Sequence, residues 1–488
     1  MKRYKIIARL LLFFCFLSIG ITTGAQVVLP AIFSNNMILQ RGKPVPVWGK
    51  AAVGEKVTVS FANQVKKVIA DSVGNWRVSL LAMKASFDPK ELVVQASNRI
   101  VFKNILVGDI WLCSGQSNME YTFDRKLKKH AAPKKGIDVA EEELSKSKPD
   151  GIRYIYVEKN LKKIPLLPTN GWTTGDDTTV RYASAIGYFF AKEIYENTNV
   201  PIGIISSSWG GTRIEQWVPE WSWIQSAVFK DSVSSPNFTI DGMHPGQMYK
   251  GLIEPLIPFA VKGVLWYQGE SNCMIEDQVT YPHKMELLVN TWRTLFKDKN
   301  LPFYYVQISP YLYSSRKSIK QLSKLLLPSF WEAQTQSLSL KNTGMAVTTD
   351  LVDNLNDIHP SYKWEVAHRL ALIALAKNYQ QHSLEYSGPV FQSALISENK
   401  LELNFSHIGS GLVSNDLQPL TCFTIAADDG IFVSAEATIL GNKIIVFSPT
   451  VRHPKYVRFA WDEKSQPNLF NKEGLPAVPF RTDHLKIN

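Results

Sequence analysis

The chain has 488 residues, with 54 Lys and Arg against 43 Asp and Glu, and is 45% hydrophobic, 11% aromatic and 20% charged. At about 100–200 residues per domain, this length implies two to four domains, each with its own core. The charged and apolar fractions exclude wholesale disorder and collagen-like repetition, and no fixed-period repeat is present.

Lys2, Arg3, Lys5 and Arg9 precede an apolar run from Leu10 to about Ile21, followed by Thr22-Thr23-Gly24-Ala25. This is the layout of a signal peptide, with cleavage expected after Ala25. The run falls short of the ~20 apolar residues of a spanning helix, so a secreted or periplasmic chain with no membrane association is expected. Losing residues 1–25 removes four basic residues and no acidic one, which lowers the formal charge from +11 to +7. Lys126, Lys128, Lys129, Lys134 and Lys135 read as a solvated face rather than a nucleic-acid surface, because no binding motif accompanies them. Cys113, Cys273 and Cys422 remain after cleavage, without metal-ligand spacing. Buried free thiols are expected, with a Cys113–Cys273 bridge as the alternative.

Residues 26–103 read as short strands separated by Gly-containing turns, the pattern of a small β-sandwich, in Val45–Trp48, Lys56–Phe61 and Trp76–Leu80. In 104–387, Ile105–Leu112, Pro201–Ile205, Val261–Tyr267, Pro302–Ile308 and Gly344–Thr349 are apolar runs suited to strands buried on both faces. Helical periodicity lies between them at 184–196, capped by Ser184, and at 283–297. This alternation predicts an α/β fold with a doubly wound parallel sheet and a site at the carboxyl ends of its strands. The polar stretch 124–180 is expected to form loops over that edge. From 388 to 488 a second β-rich module follows, in Leu401–Phe405, Lys443–Phe447 and Tyr456–Phe459.

Four segments at predicted strand ends carry the residue types of acyl chemistry. Ser114-Gly115-Gln116-Ser117-Asn118 exposes a serine where a nucleophile would stand, and Trp209-Gly210-Gly211-Thr212 lets backbone approach a substrate. Trp266-Tyr267-Gln268-Gly269-Glu270-Ser271-Asn272 supplies side-chain amides, and Asn356-Asp357-Ile358-His359-Pro360 offers a general base. Glu270 is read as fixing the turn below Ser117 rather than as a glycosidase acid, since no second carboxylate can be placed.

In order and in kind, these segments resemble the sialate O-acetylesterase group of the SGNH/GDSL hydrolases, the carbohydrate acetylesterases. The resemblance extends to Met37-Ile38-Leu39-Gln40-Arg41-Gly42 and to Asn468–Ala477. It implies an SGNH-type, flavodoxin-like three-layer domain flanked by N- and C-terminal β-sandwich modules. It makes Ser117 the nucleophile and His359 its base, with an oxyanion hole from the N–H groups of Ser117 and Gly211 and the Gln268 amide. Gly210 is the alternative to Gly211. The superfamily's acid stands three residues before the histidine, where this chain has Asn356. Asp357 is therefore the expected acid, with a Ser–His dyad as the alternative; Asp350 and Asp353 lie further upstream. Gln116, Trp209, Arg213 and Asn272 are the expected substrate contacts, although Arg213 also suits an ion pair with Glu215. No metal or organic cofactor is implied.

The leading expectation is a secreted serine esterase that removes O-acetyl groups from sialic acid. Acetylated xylan or pectin is the runner-up substrate. A non-catalytic carbohydrate-binding protein is the competing class, and the presence of both Ser117 and His359 argues against it.

Overall fold

In the computed structural model, residues 26–484 are described apart from 130, 147–148, 160–170, 175–177, 234, 236 and 317–319. The expected signal peptide lies outside the described residues. The chain divides into two compact units. The smaller comprises Pro46–Leu80 and Glu91–Val101 with residues up to Leu29; the larger comprises Pro30–Val45, Leu81–Lys90 and Phe102–Asn488.

In the smaller unit Lys56–Phe61 runs antiparallel to both of its partners. Lys56–Phe61 pairs with Gln64–Ile69 and, through residues 93–95, with Ser86–Gln95, while Val45–Lys50 pairs with Asn75–Leu80. Alternation of buried Trp76, Val78 and Leu80 with exposed neighbours gives these strands one inward face.

The larger unit is built on a parallel sheet. Its strands are β1 (Ile38–Gln40), β2 (Arg99–Gly115, here from Phe102), β3 (Ile152–Tyr156), β4 (Ile202–Ser208), β5 (Gly263–Tyr267), β6 (Phe303–Val306) and β7 (Thr343–Ala346). The order β3-β4-β2-β5-β6-β7 is parallel throughout, and β1 pairs with the early part of β2 at Leu106–Gly108. β3 lies inside the stretch expected to be loops. Its Ile-Arg-Tyr-Ile-Tyr sequence is too short to stand out beside polar neighbours, yet it buries Ile152 and Ile155 completely.

Four helices cover the sheet: α1 (Ala185–Thr198), α2 (Tyr281–Leu295), α3 (Leu326–Gln336) and α4 (Lys363–Asn378). Ser184 caps α1 by accepting from Gly187 N–H at 3.2 Å. Successive β6 residues show the two layers. Tyr304 reaches Asn378 at the end of α4 (2.6 Å), and Tyr305 reaches the Gln334 carbonyl of α3 (2.7 Å). α1 packs on α4, and α2 on α3. β2 is central, with β3 and β4 on one side and β5 to β7 on the other, so the connections diverge at its carboxyl end. That is where an open α/β sheet forms its crevice.

The C-terminal residues form antiparallel sheets. One runs Val390–Ser397, Lys400–Ser406, Lys443–Phe447, Glu436–Leu440; another runs Val433–Ser434, Phe423–Ala426, Tyr456–Phe459, Phe480–Arg481. Leu401, Leu403, Ile425, Ile444, Val446, Val457 and Phe459 make their common core. Arg481 is paired with Glu332 of α3 at 2.9 Å. Among the described residues, no helix is long and apolar enough to cross a membrane.

Candidate active site

β2 ends at Gly115, whose φ is +130° and where a Cβ would lie 2.2 Å from the Tyr267 carbonyl oxygen. Only glycine allows this approach. The turn that follows is held from both sides. Gln116 N–H donates to the Tyr267 carbonyl at 2.9 Å, and Trp209 N–H donates to the Gly115 carbonyl at 3.0 Å. Ser117 opens a single helical turn, Ser117–Glu120, at the carboxyl edge of the sheet.

His359 comes from the connection between β7 and α4, and its Nε2 lies 2.9 Å from Ser117 Oγ. Its pKa is lowered to about 4, first by burial and then by the Lys363 charge, against the opposite pull of Asp357 and Glu120. The imidazole is therefore neutral at physiological pH. Asp357 Oδ1 is 3.8 Å from His359 Nδ1, beyond hydrogen-bond reach, and accepts the His359 backbone N–H at 2.9 Å instead. Neither upstream aspartate takes its place. Asp350 forms a bidentate pair with Arg369, and Asp353 accepts from Tyr362 Oη and Lys134 N–H.

The glycine pair separates into two functions. Gly210 N–H donates to Glu120 Oε2 at 2.6 Å, whereas the N–H groups of Gly211 and Ser117 have no acceptor among the described residues. Gly211 has φ +77° and open space where a side chain would stand. Trp209 is half-buried, with the Lys159 ammonium 5.3 Å from its ring centroid; the same ammonium pairs with Glu120 at 2.7 Å.

Several expected contacts turn inward, and these are corrections. The Gln268 amide, expected as a third oxyanion donor, is fully buried; its Nε2 bonds to Asn272 Oδ1 (2.7 Å), Gln116 Oε1 (3.2 Å) and the Thr212 carbonyl (3.3 Å). Gln116, expected at the substrate, uses its Oε1 to gather the Gly269 and Ser271 N–H groups. Asn272 is completely buried and donates to Glu215 and Asp277 while accepting from Ile214 N–H and Gln268. Arg213 is buried, with Nη2 on the Ile240 and Asp241 carbonyls and Nε 3.5 Å from Glu215. Matching amides and charges find one another here, because a polar group without a partner is costly once buried.

Beneath this layer, the carboxylates of Glu215, Asp241 and Asp277 bring oxygens within 4.8 Å of one another. That spacing suits a cation, and Lys284 supplies one. Its ammonium bonds to Glu215 and Asp277, each at 2.7 Å, and to Asp241. Burial alone would lower the Lys284 pKa, but the carboxylates outweigh it and the net shift is upward. Cys113 and Cys273 are buried free thiols.

Two side chains escaped the reading of the sequence. Asn118, next to Ser117, donates to Glu270 Oε1 at 2.5 Å and to the Ile358 carbonyl at 3.0 Å. Lys363, the first residue of α4, donates to Asn118 Oδ1 at 2.6 Å and to the Pro360 carbonyl at 2.7 Å. The available signal was a lysine at a helix N-terminus, where the macrodipole disfavours a cation.

Residues 107–376 match the protein family described as carbohydrate esterases, sialic acid-specific acetylesterases. Human sialate O-acetylesterase is 28% identical over 503 residues, covering 92% of this chain and 91% of its own. The mouse sialate O-acetylesterase is 28% identical over 512 residues, covering 91% and 92%. Among solved structures, a carbohydrate acetylesterase from Xanthomonas citri is similar with a TM-score of 0.82 at 34% identity, covering 94% of this chain and 100% of its own.

Proposed function

The chain belongs to the sialic acid-specific acetylesterase family of carbohydrate esterases, and on that premise we propose that it is an exported serine esterase that removes 9-O-acetyl groups from sialic acids. That it is a carboxylic ester hydrolase acting on acetylated carbohydrate follows from the family and from relatives spanning most of the chain. The observation that supports Ser117 as nucleophile is the 2.9 Å contact between its Oγ and a neutral His359 Nε2.

His359 takes the Ser117 proton as Oγ attacks the acetyl carbonyl carbon. The oxyanion forms where the Ser117 and Gly211 N–H groups are unengaged. Collapse breaks the bond to the sugar oxygen, which takes the proton back from His359. Water, deprotonated by the same imidazole, then releases acetate from Ser117. Asp357 acts on the backbone of the base, so the reacting pair works as a dyad.

Acetate release from 9-O-acetylated sialic acid and from acetylated xylan, in parallel, tests this reading, with Ser117→Ala as the blank. Release from the sialic acid, abolished in Ser117→Ala, is the expected result. Release mainly from xylan overturns the substrate and keeps the chemistry; equal release by Ser117→Ala overturns the nucleophile.

A further inference from the structure

The two backbone carbonyls that bracket His359 are each held by a side chain of one buried polar chain. Asn118 grips the Ile358 carbonyl and Lys363 the Pro360 carbonyl, and the two side chains bond to each other. Asn118, Glu270 and Lys363 are 0%, 1% and 2% exposed, and Glu270 accepts from Asn118. His359 Nδ1, by contrast, has no carboxylate within hydrogen-bond reach among the described residues.

We propose that the Lys363–Asn118–Glu270 chain is the positioning device of the reacting pair, holding His359 through its backbone where a triad acid would hold it through Nδ1. The proposal rests on the Ser117–His359 reading above. Asn118 directly follows Ser117, so a single side chain ties the nucleophile's backbone to that of its base. Lys363 closes the other side across three residues and anchors the loop to α4. Both Asn118 side-chain N–H donors are engaged and its Oδ1 accepts from Lys363, which fixes the amide's orientation in the clamp.

The clamp also sets a field. The groups facing His359 are Lys363, Asp357 and Glu120, with the Tyr121 ring 4.6 Å away centroid to centroid. Lys363 itself faces Glu270, Asp357 and the rings of Tyr121 and Tyr267. Burial brings Lys363 down to about 7, with Glu270 and Asp357 opposing. It is therefore charged throughout the range in which His359 titrates, and its field adds to burial in keeping the base neutral.

The test is kcat, KM and pH dependence with p-nitrophenyl acetate for wild type, Lys363→Met and Asn118→Ala, with Ser117→Ala and His359→Ala as controls. A misplaced base costs about 10²-fold, so kcat should fall by that order in both variants while KM stays within about twofold. In Lys363→Met the acidic limb of kcat/KM should also rise from about 4 toward the ordinary histidine range. In Asn118→Ala the charge stays and the limb should not rise. A general packing defect would lower the fraction of titratable active sites with kcat per site unchanged in either variant, and in Lys363→Met would leave the limb in place; either result overturns the proposal. So does wild-type kcat in either variant; should Lys363→Met yield no folded protein, Asn118→Ala decides alone. Wild-type activity in Ser117→Ala instead overturns the parent reading and this one with it.

Discussion

Two buried lysines stand in one unit of this protein, and their surroundings push them in opposite directions. Lys284 lies among three carboxylates, and its pKa is raised although burial works against it. Lys363 donates to the neutral oxygens of Asn118 and Pro360, with no carboxylate in contact among the described residues, and burial lowers it to about 7. Both have lost their water. At Lys284 the charge is matched where it stands, by carboxylates in direct contact. At Lys363 the charge is matched only at longer range by Glu270 and Asp357, and part of its field falls on His359. Complete local pairing makes a structural tie; incomplete pairing leaves a charge that can tune a neighbour.

The largest expected effect separates these roles by stability. Lys284→Met removes the cation that Glu215, Asp241 and Asp277 share, leaving Arg213 near Glu215 alone, and should cost about 3–5 kcal/mol of unfolding free energy, read by denaturant titration. Lys363→Met leaves Asn118 Oδ1 and the Pro360 carbonyl unmatched and should cost less, about 1–3 kcal/mol. For the folded fraction the order reverses, since Lys284→Met should leave the acidic limb of kcat/KM where it was. A Lys284 variant as stable as wild type would break the comparison.

The same contrast shows how far the sequence could be read. Strand ends and helix starts are local properties, so Ser117 after β2 and His359 before α4 were legible from apolar runs and their flanking residues. Side-chain direction at those ends is not local. Gln116, Gln268 and Asn272 have the amides of a substrate site, yet the fold turns them onto one another. The decisive partner of Lys363 is Asn118, 245 positions away. No spacing rule links them; only the sheet order, which places β2 and the loop after β7 at one edge, brings them together. Likewise β3 depends on its place beside β4, not on any strong signal of its own.

A smaller effect should come from the pH profile of the wild type. An isolated histidine base would lose activity below about pH 6.5. His359 is depressed by burial and by Lys363, so the limb should lie near pH 4. The same depression makes the native state bind its proton later than the unfolded chain. The stability contributed by neutral His359 is therefore complete above the ordinary histidine range and declines as pH falls toward 4. A limb near 6.5 would mean that neither burial nor the Lys363 field depresses the base.

The smallest effect belongs to a third lysine. Lys159 pairs with Glu120 Oε1 at 2.7 Å, but its side chain is 27% exposed. Glu120 is a negative neighbour of His359 and keeps its bond to Gly210 N–H through the other oxygen. Lys159→Ala should cost at most about 1 kcal/mol, as half-exposed pairs do. Its effect on the base has a definite sign, because Glu120 loses a compensating cation and favours the imidazolium more strongly. The acidic limb should move upward, and by less than in Lys363→Met, since water screens a charge at the rim. Measured beside Lys363→Met at the same ionic strength, the two limbs compare a screened cation with an unscreened one. Equal displacements would show that burial is not what gives Lys363 its reach.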